Sequence, residues 1–523
     1  MVATGREQFK PTLPPEDAVP ATILAVPGTV IQEYAVADVL ADAIEAVDPD
    51  LLIATPPNEA AVSGPHVAKL VDVPVIIPKR NATPTVEVIP EAEVGIIATN
   101  TPTDLPATPA DLARDLPNAR NLDGIDHGYL VTDRLELSID PHHRRTRLEG
   151  IESYTTEVPT AWRTDAITHL STRLRPDYTT VHRYTDGGDD TTERTLSIHG
   201  IGLTTGNLGA GVDESTQELA VAKVYRNGAV CTTSYDPTNF GLRGLDQVGQ
   251  TRAERLRKRG YDTREAVSRA EVHEIADIRG LGQSTAETIQ ASATAVANGE
   301  VVPIGDGAVP DGDPIFIDIE TNGLNGSTAW LIGVLDGDAR TGTYLPFRQR
   351  TLWKPAEHLE SFLTWLAGTA ANRPVVAWNG YDFDFPIIAR QLEEHHPDRL
   401  EEWRTRYRFD PLSWATQQDN ATLPGRSNKL EAVATALGWE PQTGELDGQT
   451  AAELYNAWAT QSTGAEARFT PDWKRFESYC EDDVRALATI YEALGEASRR
   501  PPGTATNRST TETTSQGSLS DFS

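Results

Sequence analysis

A run of apolar, largely β-branched residues, Ile315-Phe316-Ile317-Asp318-Ile319-Glu320-Thr321, carries two carboxylates near its end. Such a run predicts a buried strand, and side chains alternate across a strand, so Asp318 and Glu320 share one face. Two acids side by side at a strand end repel each other and are costly to desolvate. A divalent cation between them removes that cost, because hard cations take oxygen ligands. On its own, an Asp-x-Glu pair is better explained by an exposed strand edge with solvated charges. More carboxylates must converge on it before it becomes a site.

The chain downstream supplies them. Trp330-Leu331-Ile332-Gly333-Val334-Leu335 predicts a second strand and Glu357–Leu366 a helix. Pro374–Trp378 predicts a further strand, ending in Asn379-Gly380-Tyr381-Asp382-Phe383-Asp384, where both Asp382 and Asp384 stand near the strand's end. Trp473–Leu494 is helical by period, with Tyr479 and Asp483 four apart on one face. Three separated acidic elements are what a two-metal phosphodiester site needs, where two ions roughly 4 Å apart activate a water and stabilise the leaving 3′ oxygen. Carboxylates suit Mg²⁺ or Mn²⁺, and no His/Cys cluster suggests zinc.

In order, Asp318-Ile-Glu320, Asn379-x-x-x-Phe383-Asp384 and Tyr479-x-x-x-Asp483 resemble the three motifs of the DEDD 3′–5′ exonuclease superfamily, tyrosine subtype. The surroundings, including Leu331-Ile-Gly-Val and Asn428-Lys-Leu-Glu-Ala-Val, are most similar to its YprB-like branch. The resemblance implies an RNase H-like fold over 314–497. It also implies that Asp318, Glu320, Asp384 and Asp483 ligate two Mg²⁺ or Mn²⁺ ions and that Tyr479 orients the attacking water.

Upstream, Gly241–Gly249 leads into a short helix at Thr251–Leu256, and Ile278-Arg279-Gly280-Leu281-Gly282 leads into another from Ser284. Two further short helices are predicted between them, at 262–267 and 271–276. Two units of helix, glycine turn and helix, about 33 residues apart, make an internal repeat. Glycine turns leave backbone N–H groups open at the next helix's N-terminus, a geometry that takes phosphate oxygens without reading bases. This resembles a tandem helix-hairpin-helix domain, a sequence-nonspecific DNA-binding module, over 241–299; Gln247 stands where that family usually has glycine. The candidate nucleic-acid contacts are Gly249, Gln250, Thr251, Arg252 and Arg255, then Gly280, Gly282 and Ser284, with Asn379 ahead of Asp384. From Arg243 to Ala270 eight cations face four acids, a local net charge of +4.

That island stands out because the 523-residue chain carries a net charge of −31 and only eight lysines. An even spread of that charge would disfavour a polyanionic partner. Acid-rich, Lys-poor composition resembles proteins of salt-accumulating, halophilic microbes, so the acidity can describe the solvent more than the function. The length predicts several domains. Residues 1–240 fall outside both resemblances: 21–125 alternate strand and helix patterns, as in a parallel α/β layer, and 126–240 turn β-rich, with a hairpin signal at Asn227-Gly228. His199 and His142-His143 are unpatterned and expected to be packing or surface residues. Cys231 and Cys480 are far apart and show no metal-ligand spacing. No apolar run reaches transmembrane length and the N-terminus is no signal peptide, so a cytoplasmic, membrane-free protein is expected.

The expectation is thus a multidomain α/β chain: an α/β then β-rich first half, an all-α helix-hairpin-helix module, a linker at 300–313, a C-terminal RNase H-like α/β domain and a disordered tail at 498–523. The leading functional expectation is a metal-dependent 3′–5′ exonuclease on DNA or RNA. A nucleic-acid-binding scaffold with an idle nuclease fold and a structure-specific endonuclease are the alternatives.

Overall fold

The computed structural model describes most of residues 12–501; segments 28–36, 56–72, 79–82, 116–124, 141–144, 186–192, 203–217 and 461–469, some single positions and both ends lie outside the described residues. One helix of the alternation expected over 21–125, near Ala60 to Val71, falls there, as do His142-His143 and the tail beyond 501.

In the first half the β-branched runs form strands, dealt into two large sheets and a two-stranded ribbon of Glu136–Asp140 with Arg145–Glu149. The first has the order β13-β12-β1-β2-β3, built from β1 (Ala21–Pro27), β2 (Leu51–Thr55), β3 (Val75–Ile76), β12 (Leu219–Val224) and β13 (Val230–Tyr235). The second, of six strands, runs β10 (Thr179–Thr185), β11 (Glu193–Gly200), β9 (Ile167–Ser171), β6 (Gly128–Thr132), β5 (Val94–Ala98) and β4 (Thr85–Ile89). Ala21, Ile23 and Ala25 pack on Ile96, Tyr129 and Leu170 of the second sheet, while Leu24 and Val26 pack on Val39, Leu40 and Ala43 of helix α1 (Ala37–Val47). Both faces of β1 are covered, which is why its sequence is apolar almost throughout.

A single parallel layer over 21–125 is thus not what forms: Val94–Ala98 joins the second sheet, and the later hairpin β12–β13 pairs beside β1. A strand pattern reports burial, not the identity of the neighbouring strand. The hairpin itself turns at Asn227-Gly228, with Gly228 at φ 86. His199 lies half-buried in a strand, its Nδ1 3.2 Å from Thr179 Oγ1, and desolvation pulls it down to about 4.

The helical module comprises α4 (Gln250–Lys258), α5 (Arg264–Ser268), α6 (Val272–Ala276) and α7 (Gln283–Asn298) around Leu245, Leu256, Val267, Ile275 and Ile289. Residues 302–310 lie along the C-terminal domain. Val302–Pro303 pairs with Ala421–Thr422, the Gly307 N–H donates to Asn420 Oδ1 at 2.9 Å, and the Tyr491 hydroxyl donates to the Pro310 carbonyl.

The C-terminal sheet has the order β17-β16-β15-β18-β19, with β15 (Ile315–Thr321) central, β16 (Ala329–Asp336) antiparallel and β18 (Val375–Val376) parallel to it. Outer strands are β17 (Thr343–Arg348) and β19 (Arg408–Phe409). Alternation along β15 sends Ile315, Ile317 and Ile319 to one face, against Leu359, Phe362 and Leu363 of α8 (Glu357–Thr369) and Phe385 and Ile388 of α9 (Asp384–His395). Phe316 goes to the other face, with Leu487, Ile490 and Tyr491 of the long helix α13 (Trp473–Ala497). Asp318 and Glu320 therefore look toward α13. No helix among the described residues is long and apolar enough to cross a membrane.

Candidate functional site

Helix α13 starts where the Asp472 carboxylate accepts the Arg475 N–H, and it crosses β15 and β16 closely because Gly333 has no side chain. A Cβ at Gly333 would sit 2.4 Å from Cys480 Sγ. Gly333 is the ladder partner of Asp318, so the closest approach of the helix falls beside that carboxylate. Cys480 fills the gap and is fully buried, its Sγ 3.5 Å from Asp318 Oδ2. Tyr479 and Asp483, one turn apart on α13, come to the same end of the sheet.

Asp384 arrives from the opposite direction. The chain leaves β18, turns through Asn379 in the left-handed region (φ 53), and begins α9 with Asp384 in its first turn. Asp384 is 4 % exposed, whereas Asp382 is exposed. The carboxylate that faces Asp318 is thus that of Asp384. Asn379 contributes mainly its backbone to this turn: its carbonyl accepts the N–H groups of Asp382 and Phe383.

The electrostatics report the convergence. Burial raises Asp318 to about 6, against the pull of the Cys480 thiol and the Ile319 N–H. Asp384 is pushed well above the usual carboxylate range by burial and then by Asp318. Asp483 is pushed up in the same way by burial, Asp318 and Glu320. Tyr479 is raised by burial and by Asp483, Glu320 and Asp318, so its hydroxyl stays protonated. Like charges this close, cut off from water, cannot all ionise without a counter-charge. Among the described residues, ligand atoms of Asp318, Glu320 and Cys480 lie within 4.8 Å of one another, a set that could hold a metal ion. Burial and the neighbouring acids keep Cys480 a neutral thiol, so the charged donors are all carboxylate oxygens, a set that fits Mg²⁺ or Mn²⁺.

Three residues at the site are given no role by the motifs of the sequence, although one of them, Glu431, lies within the quoted Asn428–Val433 stretch. Asp410, 2 % exposed after β19, accepts the N–H groups of Asn379 (3.1 Å), Tyr381 (3.3 Å) and Leu412 (3.0 Å). It holds the turn that presents Asp384. An acid directly following a short β-rich run is the one local signal it leaves. Cys480 leaves none, because no second cysteine lies near it in the chain. Glu431, in the first turn of α11 (Leu430–Ala436), lies within electrostatic reach of Asp483 and Tyr479. Asp482, next to Asp483, does something else: it accepts the N–H groups of Gln442 and Thr443 and ties down that loop.

The two hairpin turns repeat one geometry. Gln247 takes φ 61 and Gly280 φ 83, and each is followed two residues on by an extended glycine, Gly249 or Gly282, that begins a helix without a side-chain cap. Gln247 thus adopts the left-handed backbone that glycine takes in the second copy. Gly249, Gln250, Thr251, Gly280, Gly282 and Ser284 are exposed, and helix geometry leaves the first N–H groups of α4 and α7 without intrahelical acceptors. Arg252 and Arg255 brace these turns, donating to the carbonyls of Gln247 and, at 2.7 Å, of Arg279. The basic island is smaller than its count suggests, because Arg264 is 3 % exposed, donates to the Gly241 carbonyl at 2.7 Å and lies 3.6 Å from Asp42.

Comparison with known proteins accords with both halves of this description. Residues 315–495 match the RNase_H_2 model of the RNase_H superfamily, and residues 241–294 match the model of the SAM-like helix-hairpin-helix tandem. The chain therefore contains an RNase H-like domain preceded by a helix-hairpin-helix tandem, the equipment of a protein that acts on nucleic acid. No curated protein matches the chain. Among solved structures, the family B DNA polymerase from the hyperthermophilic archaeon Pyrobaculum calidifontis is similar at 13 % identity and a TM-score of 0.26, over 62 % of this chain and 48 % of that one. The chain spans about half the length of that polymerase.

Proposed function

We propose that residues 314–497 are a metal-dependent 3′–5′ exonuclease of the DEDD superfamily, tyrosine subtype and YprB-like branch. It acts on DNA or RNA, and the helix-hairpin-helix module delivers it. The observation that supports this reading is the closeness of the Asp318 and Glu320 carboxylates on β15, with Asp384 of α9 and Asp483 of α13 both within electrostatic reach of Asp318 and Tyr479 one turn from Asp483. These four carboxylates would hold two Mg²⁺ or Mn²⁺ ions, which when bound lower the pKa of a water and stabilise the charge on the leaving 3′ oxygen. The chain's own residues supply position and protons. Tyr479, kept protonated, donates a hydrogen bond that orients the attacking oxygen. Asp410 fixes the backbone that aims Asp384, and the Cys480 thiol orients Asp318 from behind.

A 3′-labelled linear strand, as DNA and as RNA, should lose nucleotides stepwise from that end in Mg²⁺ or Mn²⁺ and stay intact in EDTA, while a covalently closed circle survives. Internal cuts in the circle would make the protein an endonuclease. Binding that persists in EDTA without turnover in either metal would make it a scaffold.

The hairpin module has its own test. Gly280→Ala forces a side chain into a φ of 83 and against Arg255, whose Nη1 would lie 2.3 Å from the new Cβ. A several-fold loss of DNA affinity across a salt series is expected, because phosphate contacts weaken steeply with salt. Unchanged affinity at every salt concentration would remove the second hairpin from the interface.

A further inference from the structure

The first half of the chain is fixed against the nuclease domain at three places. Asp42 of α1 accepts the Gly241 N–H (2.8 Å) through one oxygen and Arg426 Nη2 (2.7 Å) through the other, so it joins first half, hairpin module and nuclease domain. Lys429, just before α11, donates to the Ser234 carbonyl at 3.4 Å and lies 5.6 Å from the centre of the Tyr235 ring. At the other end of the same hairpin, Asn227 Nδ2 donates to the Leu13 carbonyl (2.8 Å), and Leu13 packs in the cluster that contains Trp330, Phe476 and Tyr479. Hairpin β12–β13 is thus anchored at one end to the α11 side of the carboxylate centre and at the other to the Tyr479 side.

Alternation along β12 decides what this hairpin presents. Ala220, Ala222 and Val224 enter the core between the two sheets, while Leu219 and Val221 pack on the opposite face with α1 and Tyr235. Lys223 follows Leu219 and Val221 and so belongs to that second face, paired across the ladder with Cys231. Glu431, exposed at the start of α11, lies within electrostatic reach of Lys223 and Tyr235 and of Asp483 and Tyr479, while Lys223 itself is half-buried and pulled down chiefly by burial. In a chain with eight lysines and a net charge of −31, two lysines, Lys223 and Lys429, lie on hairpin β12–β13 or in contact with it. A polyanion moving toward four carboxylates needs cations along its way, and this pair supplies them.

We propose that hairpin β12–β13 is the second wall of the substrate cleft and that Lys223 binds a backbone phosphate of the polynucleotide upstream of its 3′ end. This gives the first half of the chain a role in holding the strand being trimmed, and it rests on the nuclease reading above. The competing role for Lys223 is an ion pair with Glu431 that only joins the two halves.

The test uses the full-length protein with a 3′-labelled single-stranded oligonucleotide and with the p-nitrophenyl ester of thymidine 5′-monophosphate, which has no upstream phosphate. For Lys223→Met, the preference for oligonucleotide over ester, as a ratio of kcat/KM values, should fall about tenfold, with a shallower salt dependence of KM. Lys223→Arg should restore both. Glu431→Gln should lower KM for the oligonucleotide, because it removes an acid that competes with phosphate for the lysine. The proposal is overturned if Lys223→Met and Glu431→Gln raise KM together and lower the melting temperature alike, as a joining ion pair requires. It is also overturned if Lys223→Met leaves the preference unchanged in an active enzyme. Wild-type protein inactive on both substrates in either metal would instead defeat the nuclease reading, and this proposal with it.

Discussion

Replacing Asp483 by asparagine is expected to lower metal-dependent nucleotide release by on the order of 10³-fold, the scale on which a single preorganised charge at a reacting centre counts. Asparagine keeps the volume and shape of the side chain, so the packing of α13 on β15 and β16 survives and the loss reports chemistry. Because Asp483 is half-buried and repelled by Asp318, Glu320 and Glu431, removing its charge also relieves repulsion in the metal-free protein. The same variant should therefore melt at a higher temperature than wild type in EDTA, and gain less from added Mg²⁺. Loss of activity together with a lower melting temperature in EDTA would point to a folding defect. Wild-type activity would remove Asp483 from the centre. Asp318→Asn should behave in the same way, with a larger effect on the strand core, since Cys480 and the Ile319 N–H both lean on that carboxylate.

The second large effect concerns pH. Asp318 sits at about 6 against an ordinary 3.8, and Asp384 and Asp483 are also raised, all chiefly by burial. A carboxyl raised in the native state binds its proton more tightly folded than unfolded. Its contribution to stability is complete below the unfolded value and is lost as pH rises through the folded one. For Asp318 alone the loss is at most about 3 kcal/mol, since each tenfold gain in proton affinity is worth about 1.4 kcal/mol. Metal-free protein should thus melt progressively lower between pH 5 and pH 8, the reverse of ordinary acid denaturation. Surface acids of the opposite kind do not interfere: Asp338, held at about 2 chiefly by its hydrogen bond from the Thr341 hydroxyl, has finished titrating well below that window. Divalent cations should cancel the slope, because they bind the deprotonated carboxylates, and their affinity should climb through the same range. Melting curves at four pH values, with EDTA and with Mg²⁺, make the measurement. A metal-free melting temperature that rises from pH 5 to pH 8 would mean that the four acids are not a mutually repelling buried set.

Much of the C-terminal half is legible in the sequence because its signals are local. The apolar run with Asp318 and Glu320 is a strand over Ile315–Thr321, and the expected helix from Trp473 runs on to Ala497. The duplicated glycine turns are legible for the same reason: a left-handed residue followed by an extended glycine leaves a mark within five residues. Even the departure at Gln247 is visible, although only its φ shows that the turn is preserved. The first half is less legible. Its strands can be counted, but the assignment of Val94–Ala98 and Leu219–Val224 to different sheets depends on partners far away in the chain.

What the sequence determined by itself is the cast of the candidate site: which acids lie at strand ends, which helix carries Tyr479 and Asp483 on one face, and where glycine turns open onto helix N-termini. These follow from periodicity and backbone preference, which act over a few residues. What only the tertiary structure decided is which groups meet. Gly333 opposite Asp318 lets Cys480 and its helix close on the sheet, Asp410 braces the turn of Asp384 from another strand, and hairpin β12–β13 brings Lys223 within electrostatic reach of Glu431. Each meeting joins residues far apart in the chain through packing and charge in three dimensions, and those forces leave no period in the sequence.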